Sequence, residues 1–214
     1  MISSTVHYFE DQIDQIDTFF KSLGYETIVS KCGSVFADPR YGNFPDCLLA
    51  VEECDVFFGI IRPNCGSGQV GEYCVTFEEF KKARELNKPS WYVVDYRVTY
   101  AKELLHLLTL KPDISINIGS VKVKELLHML FTKHKKSIDS GYYKVLDLFE
   151  SKYKKEFDPL CLAMLDYVDK KDIKDYWARR NHWRHEFHQL TDITSYINNQ
   201  FGNYQRIEDV LKTY

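Results

Sequence analysis

The chain has 214 residues, 44% of them hydrophobic, and a formal net charge of −3. That length and apolar content suit one substantial core with an elaboration, and the acidic balance argues against a protein that coats a phosphate backbone. No apolar run approaches the roughly 20 residues that cross a bilayer, and the six cysteines follow no apolar leader and build no compact framework, so a soluble protein of a reducing, cytoplasmic compartment is expected.

Met1-Ile2 reads as the end of a first strand, closed by the polar turn Ser3-Ser4-Thr5. Phe9, Ile13, Ile16, Phe20 and Leu23 then recur at helical spacing, and Gly24 stands where a helix C′ residue belongs. Thr27-Ile28-Val29 predicts a short second strand. Residues 31–45 form a long loop punctuated by Gly33, Pro39, Gly42 and Pro45, and Asp46 to Glu53 predicts about two helical turns. Val56 to Ile61 is apolar without polar alternation, the pattern of a strand covered on both faces in a parallel sheet. A glycine loop from Arg62 to Gly71 leads to a helix from Thr76 to about Leu86. Lys88-Pro89 then introduces a fourth strand, Trp91 to Val94, ending at Asp95.

Residues 98–110 and 120–136 predict helices, with Ile114 to Ile118 a short strand between them, and 140–154 and 159–180 continue in helical style. Trp183 to Phe187 alternates like a last strand, and Thr191 to Phe201 predicts a closing helix. The succession of strands and helices predicts an α/β fold with a parallel sheet and flanking helices. Residues 1–97 form its core, 98–180 a helical insertion before the last strand, and 181–214 the strand and helices that complete it. The insertion is rich in aromatics, including Tyr142, Phe149, Tyr153 and Tyr167, which predicts self-association or partner contact. Residues 120–190 are mildly basic, but acids dilute the basic residues, so a solvated helical surface is expected rather than a nucleic-acid face.

Several of these segments resemble a known group. The Ile2-Ser3-Ser4-Thr5 start, Glu53-Cys54-Asp55, the Val56 to Ile61 strand, the glycine loop, Thr76-x-x-Glu79-Phe80, Ala83 and Lys88-Pro89 are similar to the TIR-like domain family of unknown function associated with bacterial defence and NTPase-linked proteins. Asn181 to Phe187 and Asn199-Gln200-Phe201 resemble its last strand and helix, so the likeness covers about residues 1–95 and 180–202. The resemblance implies a flavodoxin-like fold related to TIR domains and nucleoside deoxyribosyltransferases. It implies an enzyme that cleaves or cyclises NAD or a related nucleotide at the N-glycosidic bond, with NAD a substrate rather than a resident cofactor, in antiphage signalling. A non-catalytic sensing or scaffold module, acting through an effector protein or a homo-oligomer, is the other reading, and action on a nucleoside is a third. Two departures stand out. The first strand is shorter than the family's, which implies residues upstream or a sheet that compensates, and Arg62 replaces a small residue, which reshapes the pocket.

The resemblance places Glu79 where relatives engage the ribose. Glycosidic cleavage passes through an oxocarbenium-like state, which a fixed carboxylate stabilises. Glu79 also completes Thr76-x-x-Glu79, a capping-box pattern, so a purely structural role stands beside the catalytic one, with Glu78 the fallback carboxylate. Ser3, Ser4 and Thr5 lie between a strand and a helix, where a diphosphate or an ordinary turn fits. Gly66 and Gly68 allow a close backbone approach to a ligand. Asp38, Arg40 and Tyr41 are placed to close over a base or ribose, or to form plain surface loop, and Arg62 borders the same region. His182, His185 and His188 lack metal-binding spacing, and no metal is expected. Cys54 and Cys161 read as small core residues.

Overall fold

The structure, a computed structural model, describes residues 1–32, 34–36, 38–40, 43–65, 69–70, 73–110, 117–118, 121–122, 158, 160–169 and 184–214. In chain order its elements are β1 (Ile2–Ser4), α1 (Glu10–Ser22), a 3-10 turn (Ser30–Cys32), α2 (Asn43–Glu53), β2 (Phe57–Ile61), β3 (Gln69–Val70), β4 (Tyr73–Cys74), α3 (Val75–Glu85), β5 (Ser90–Asp95), α4 (Tyr96–Leu110), β6 (Asn117–Ile118), β7 (Val121–Lys122), α5 (Leu160–Asp169), β8 (Arg184–Phe187), α6 (Leu190–Phe201) and α7 (Tyr204–Leu211).

The unalternated apolar run becomes β2, and both of its faces are covered. Phe57 and Ile61 point into a layer with Val51 of α2, Phe77 and Phe80 of α3, and Cys161 and Leu165 of α5. Phe58 and Ile60 point the other way, into Ile13, Ile16 and Phe20 of α1 and Ile193, Ile197 and Phe201 of α6. The period-two geometry of a strand explains this division, since successive side chains leave opposite faces. Pairing is parallel throughout in the order β1-β2-β5-β8, with Ser3 beside Gly59, Gly59 beside Tyr92, and Val93 beside His185. A four-stranded parallel sheet flanked by helices is the α/β, flavodoxin-like arrangement the sequence predicts.

Local signals set several boundaries. Gly24 lies at φ +90°, and the Gly24 N–H donates to Lys21 O at 3.0 Å while the Tyr25 N–H donates to Phe20 O at 3.2 Å. This is a Schellman termination, which needs the left-handed conformation glycine adopts without strain. Elsewhere the expectation fails. Thr27-Ile28-Val29 does not form a strand; one backbone bond, Ile2 N–H to Ile28 O at 2.9 Å, is what joins it to β1. The Ser34 hydroxyl explains the loss, because it accepts from the Val29 N–H at 2.7 Å and donates to Val29 O at 3.0 Å, turning the chain away before a ladder can extend.

Helix α2 starts at Asn43, earlier than predicted, and α4 begins directly after β5. Val121–Lys122, expected in a helix, pairs antiparallel with Asn117–Ile118. Residues 123–136, the predicted helix at 140–154 and the 170–180 part of the one predicted at 159–180 lie outside the described residues. Helix α5, within the expected insertion, packs its buried face into the sheet's own core. Beyond α6 the C-terminus adds the short helix α7, which Asn203 caps by accepting from the Arg206 N–H at 3.3 Å. Among the described residues, no helix is long and apolar enough to cross a membrane.

Candidate functional site

The Thr76-x-x-Glu79 capping box does not form. Strand β4 carries the chain in extended form to Cys74, at φ −87° and ψ 160°, and Cys74 is the N-cap of α3, without a side-chain capping bond. Thr76 is therefore the second residue of the helix and Glu79 the fifth, one turn inside. From there the Glu79 side chain points toward the sheet rather than back along the helix.

Glu79 is 4% exposed, and two donors meet its carboxyl. The Ser3 hydroxyl on β1 donates to Oε2 at 2.5 Å, and the Cys47 thiol on α2 supplies a second hydrogen bond. Burial pushes the Glu79 carboxyl up to about 7, while Ser3 and Cys47 pull in the opposite direction. Cys47 is itself pushed up to about 12, by burial first and then by the neighbouring Glu79 charge, so its thiol keeps its proton at neutral pH. Three elements far apart in sequence thus converge on one carboxyl.

That carboxyl lines a pocket of about 340 Å³ beyond the carboxyl end of β1. Ser4, Thr5, His7 and Glu10 form one wall, Ser30 and Cys47 another, and Cys65, Val75 and Thr76 the side nearest α3. The volume sits at the small end of ligand pockets, which run to roughly 300–1,000 Å³.

Arg62 organises the first wall without lining it. Its Nη1 donates to Thr5 O at 3.0 Å and His7 O at 3.1 Å, its Nη2 donates to Tyr8 O at 3.3 Å, and its guanidinium lies 4.2 Å from the centre of the Phe9 ring. Burial lowers the Arg62 pKa to about 10, which leaves it charged at neutral pH. The loop it holds contains Tyr8 at φ +60°, a strained left-handed conformation for a residue with a Cβ. Glu10 occupies the N-terminal end of α1 with its own carboxylate, which accepts from the Tyr8 N–H at 3.3 Å. Backbone donors, that of Glu10 itself foremost, hold it below the usual carboxylate range.

The predicted site residues divide accordingly. The structure brings Ser4, Thr5 and Glu79 together around the pocket, with Ser3 behind Glu79. Asp38 and Arg40 form an exposed fork with each other, Arg40 Nε to Asp38 Oδ1 at 2.9 Å and Nη2 to Oδ2 at 2.6 Å, away from the lining. Tyr41, Gly66 and Gly68 lie outside the described residues. Cys47, His7, Glu10 and Ser30 join the site without having been expected there. No local signal marks them, because each reaches the pocket through tertiary packing.

Among the described residues, no group of three or more His, Cys, Asp or Glu side chains is placed to hold a metal. His185 stacks on Tyr196 at 4.9 Å between ring centres, and His188 stacks on Tyr96 at 4.5 Å.

Comparison with curated proteins and with solved structures finds no match in either set. A family model described as a domain of unknown function, DUF4062, matches residues 1–134, a span that includes the whole lining of the pocket. The chain belongs to the DUF4062 family.

Proposed function

We propose that the pocket takes a nucleotide or NAD-like small molecule and that Glu79 assists cleavage of its N-glycosidic bond. The TIR-like resemblance of residues 1–95 and 180–202 supports the reaction type. The observation that carries the reading is a buried carboxyl, Glu79, aimed into a pocket and fixed there by donors from β1 and α2.

In this reading the C1′–N bond breaks first, and its electron pair leaves with the base, which for NAD is neutral nicotinamide. Positive charge then spreads over C1′ and the ring oxygen, where the Glu79 carboxylate stabilises it. Water adds to C1′ and loses a proton, or a ribosyl hydroxyl of the same molecule adds and closes a ring. Ser3 and Cys47 hold the carboxylate so that little reorganisation is needed as the charge develops.

Incubating the purified protein with NAD and following nicotinamide release tests the proposal. Release by wild type, with a loss on the order of a hundredfold in Glu79→Gln, is expected from removal of one preorganised electrostatic contact. Equal release by both folded proteins would remove Glu79 from the chemistry. Binding of NAD without cleavage at any pH would leave the pocket as the sensing site of a non-catalytic module.

A further inference from the structure

Two threonine hydroxyls in the pocket have no hydrogen-bond partner among the described residues. Thr76 is 7% exposed and Thr5 is 5% exposed, and both line the cavity. Each residue is buried as a whole, yet its hydroxyl opens onto the cavity without a protein partner among those residues, so both hydroxyls are free to donate to a ligand acceptor there. Thr76 also lies in the first turn of α3, an 11-residue helix without a side-chain cap among the described residues, whose first turn reaches the pocket through Val75 and Thr76. The backbone amides of a first turn and the positive end of the helix dipole favour an anion.

We propose that the N-terminus of α3, with the Thr5 and Thr76 hydroxyls, is a subsite for a phosphate monoester, and that the pocket's ligand is a phosphorylated riboside. The assignment rests on reading the Glu79 pocket as a riboside site. A phosphate offers three acceptor oxygens, enough for two hydroxyls and the helix amides together. From Thr76 to Glu79 is three residues, about 4.5 Å of helical rise, short enough for one sugar to lie between the phosphate and the carboxyl.

The other expected phosphate position is already occupied. The N-terminal end of α1 meets the Glu10 carboxylate. Arg62 gives its donors to Thr5, His7 and Tyr8 carbonyls, and Lys31 donates to Glu10 O at 2.7 Å and Asp14 Oδ2 at 2.5 Å. Amides and hydroxyls, rather than an ion pair, therefore receive the phosphate charge.

Titrating 15N-labelled protein with ribose 5-phosphate, ribose and inorganic phosphate tests the subsite. Ribose 5-phosphate is expected to shift the amides of Val75 and Thr76 and to bind at least tenfold more tightly than ribose. Thr76→Val and Thr5→Val should each weaken ribose 5-phosphate several-fold without changing ribose, and Glu79→Gln should keep the phosphate preference. Equal binding of the two sugars, or shifts centred on α1 instead of α3, would overturn the proposal. Inorganic phosphate binding as tightly as ribose 5-phosphate would overturn the riboside assignment. Should a threonine variant fail to fold, the wild-type amide shifts and sugar preference decide. NAD cleavage without a preference for ribose 5-phosphate would sink this subsite and leave the glycosidic reading intact; the preference without cleavage of any nucleotide would do the reverse.

Discussion

The Ser3 hydroxyl donates to Glu79 Oε2 at 2.5 Å across 76 positions of sequence, tying the first strand to the helix that borders the pocket. This bond favours the ionised carboxyl and so opposes the effect of burial. Ser3→Ala is expected to raise the Glu79 pKa further above its value of about 7, and Ser3→Thr, which keeps a hydroxyl, to restore it. Carbon-13 NMR titration of the labelled glutamate carboxyl reads this directly. An unchanged titration in Ser3→Ala would show that the hydroxyl does not govern the group.

Glu79 also gives stability a distinctive pH dependence. Its ordinary value is 4.5, and in the folded protein it is raised to about 7. Between these values the unfolded chain has lost the proton that the folded chain keeps, so stability falls as pH rises from about 4.5 through about 7 and is constant on either side. The contribution is on the order of 3 kcal/mol. Urea unfolding across this range should show the fall in wild type relative to Glu79→Gln, whose amide does not titrate. A difference between the two proteins that does not change with pH would contradict the buried carboxyl.

The sheet's centre and the helices α1, α2, α3 and α6 that flank it were legible because their signals are local. The unbroken Val56 to Ile61 run announces burial on both faces, and Gly24 announces a helix end. The site was legible only in part. Glu79 stood out through its place in a resemblance, yet its contacts with Ser3 and Cys47 depend on three elements meeting in space. The capping-box pattern misled because Thr76 and Glu79 fit the spacing while the N-cap falls two residues earlier, at Cys74, the last residue of the short strand β4. Thr27 to Val29 misled because propensity does not register that the Ser34 hydroxyl intercepts both backbone groups of Val29.

Arg62 is expected to matter as a clamp rather than as a ligand contact. Removing it leaves carbonyls of Thr5, His7 and Tyr8 without their charged donor, that of Thr5 in a buried place and the other two partly buried. Arg62→Met should cost roughly 2–4 kcal/mol, and Arg62→Lys should recover little of it, because an ammonium lacks the planar fork that reaches three acceptors. Denaturant unfolding measures the cost. Full recovery in Arg62→Lys would argue that charge alone, rather than the fork, holds the loop.

Gly59 should be intolerant of a single methyl group. A Cβ there would lie 2.5 Å from Phe80 Cζ and 2.7 Å from Tyr92 Cδ1, and both rings are packed in the core. Gly59→Ala is expected to destabilise by about 1–3 kcal/mol through overpacking, and pairing it with Phe80→Leu should return part of the loss. Thermal or urea unfolding of the single and double variants tests the contact. Strict additivity of the two changes would mean that the methyl does not strike the ring.

Thr76 separates the sequence pattern from the observed helix most cleanly. As the N-cap of a capping box its hydroxyl would hold a backbone N–H, and its loss would cost about 1 kcal/mol. In the structure the hydroxyl opens onto the pocket, has no partner among the described residues, and sits at the second helical position. Thr76→Val keeps the side-chain shape and removes only the unsatisfied oxygen, so the ligand-free protein should be unchanged or slightly more stable. A destabilisation of about 1 kcal/mol in urea unfolding would restore the capping role and move the start of α3 to Phe77, with Thr76 itself outside the helix.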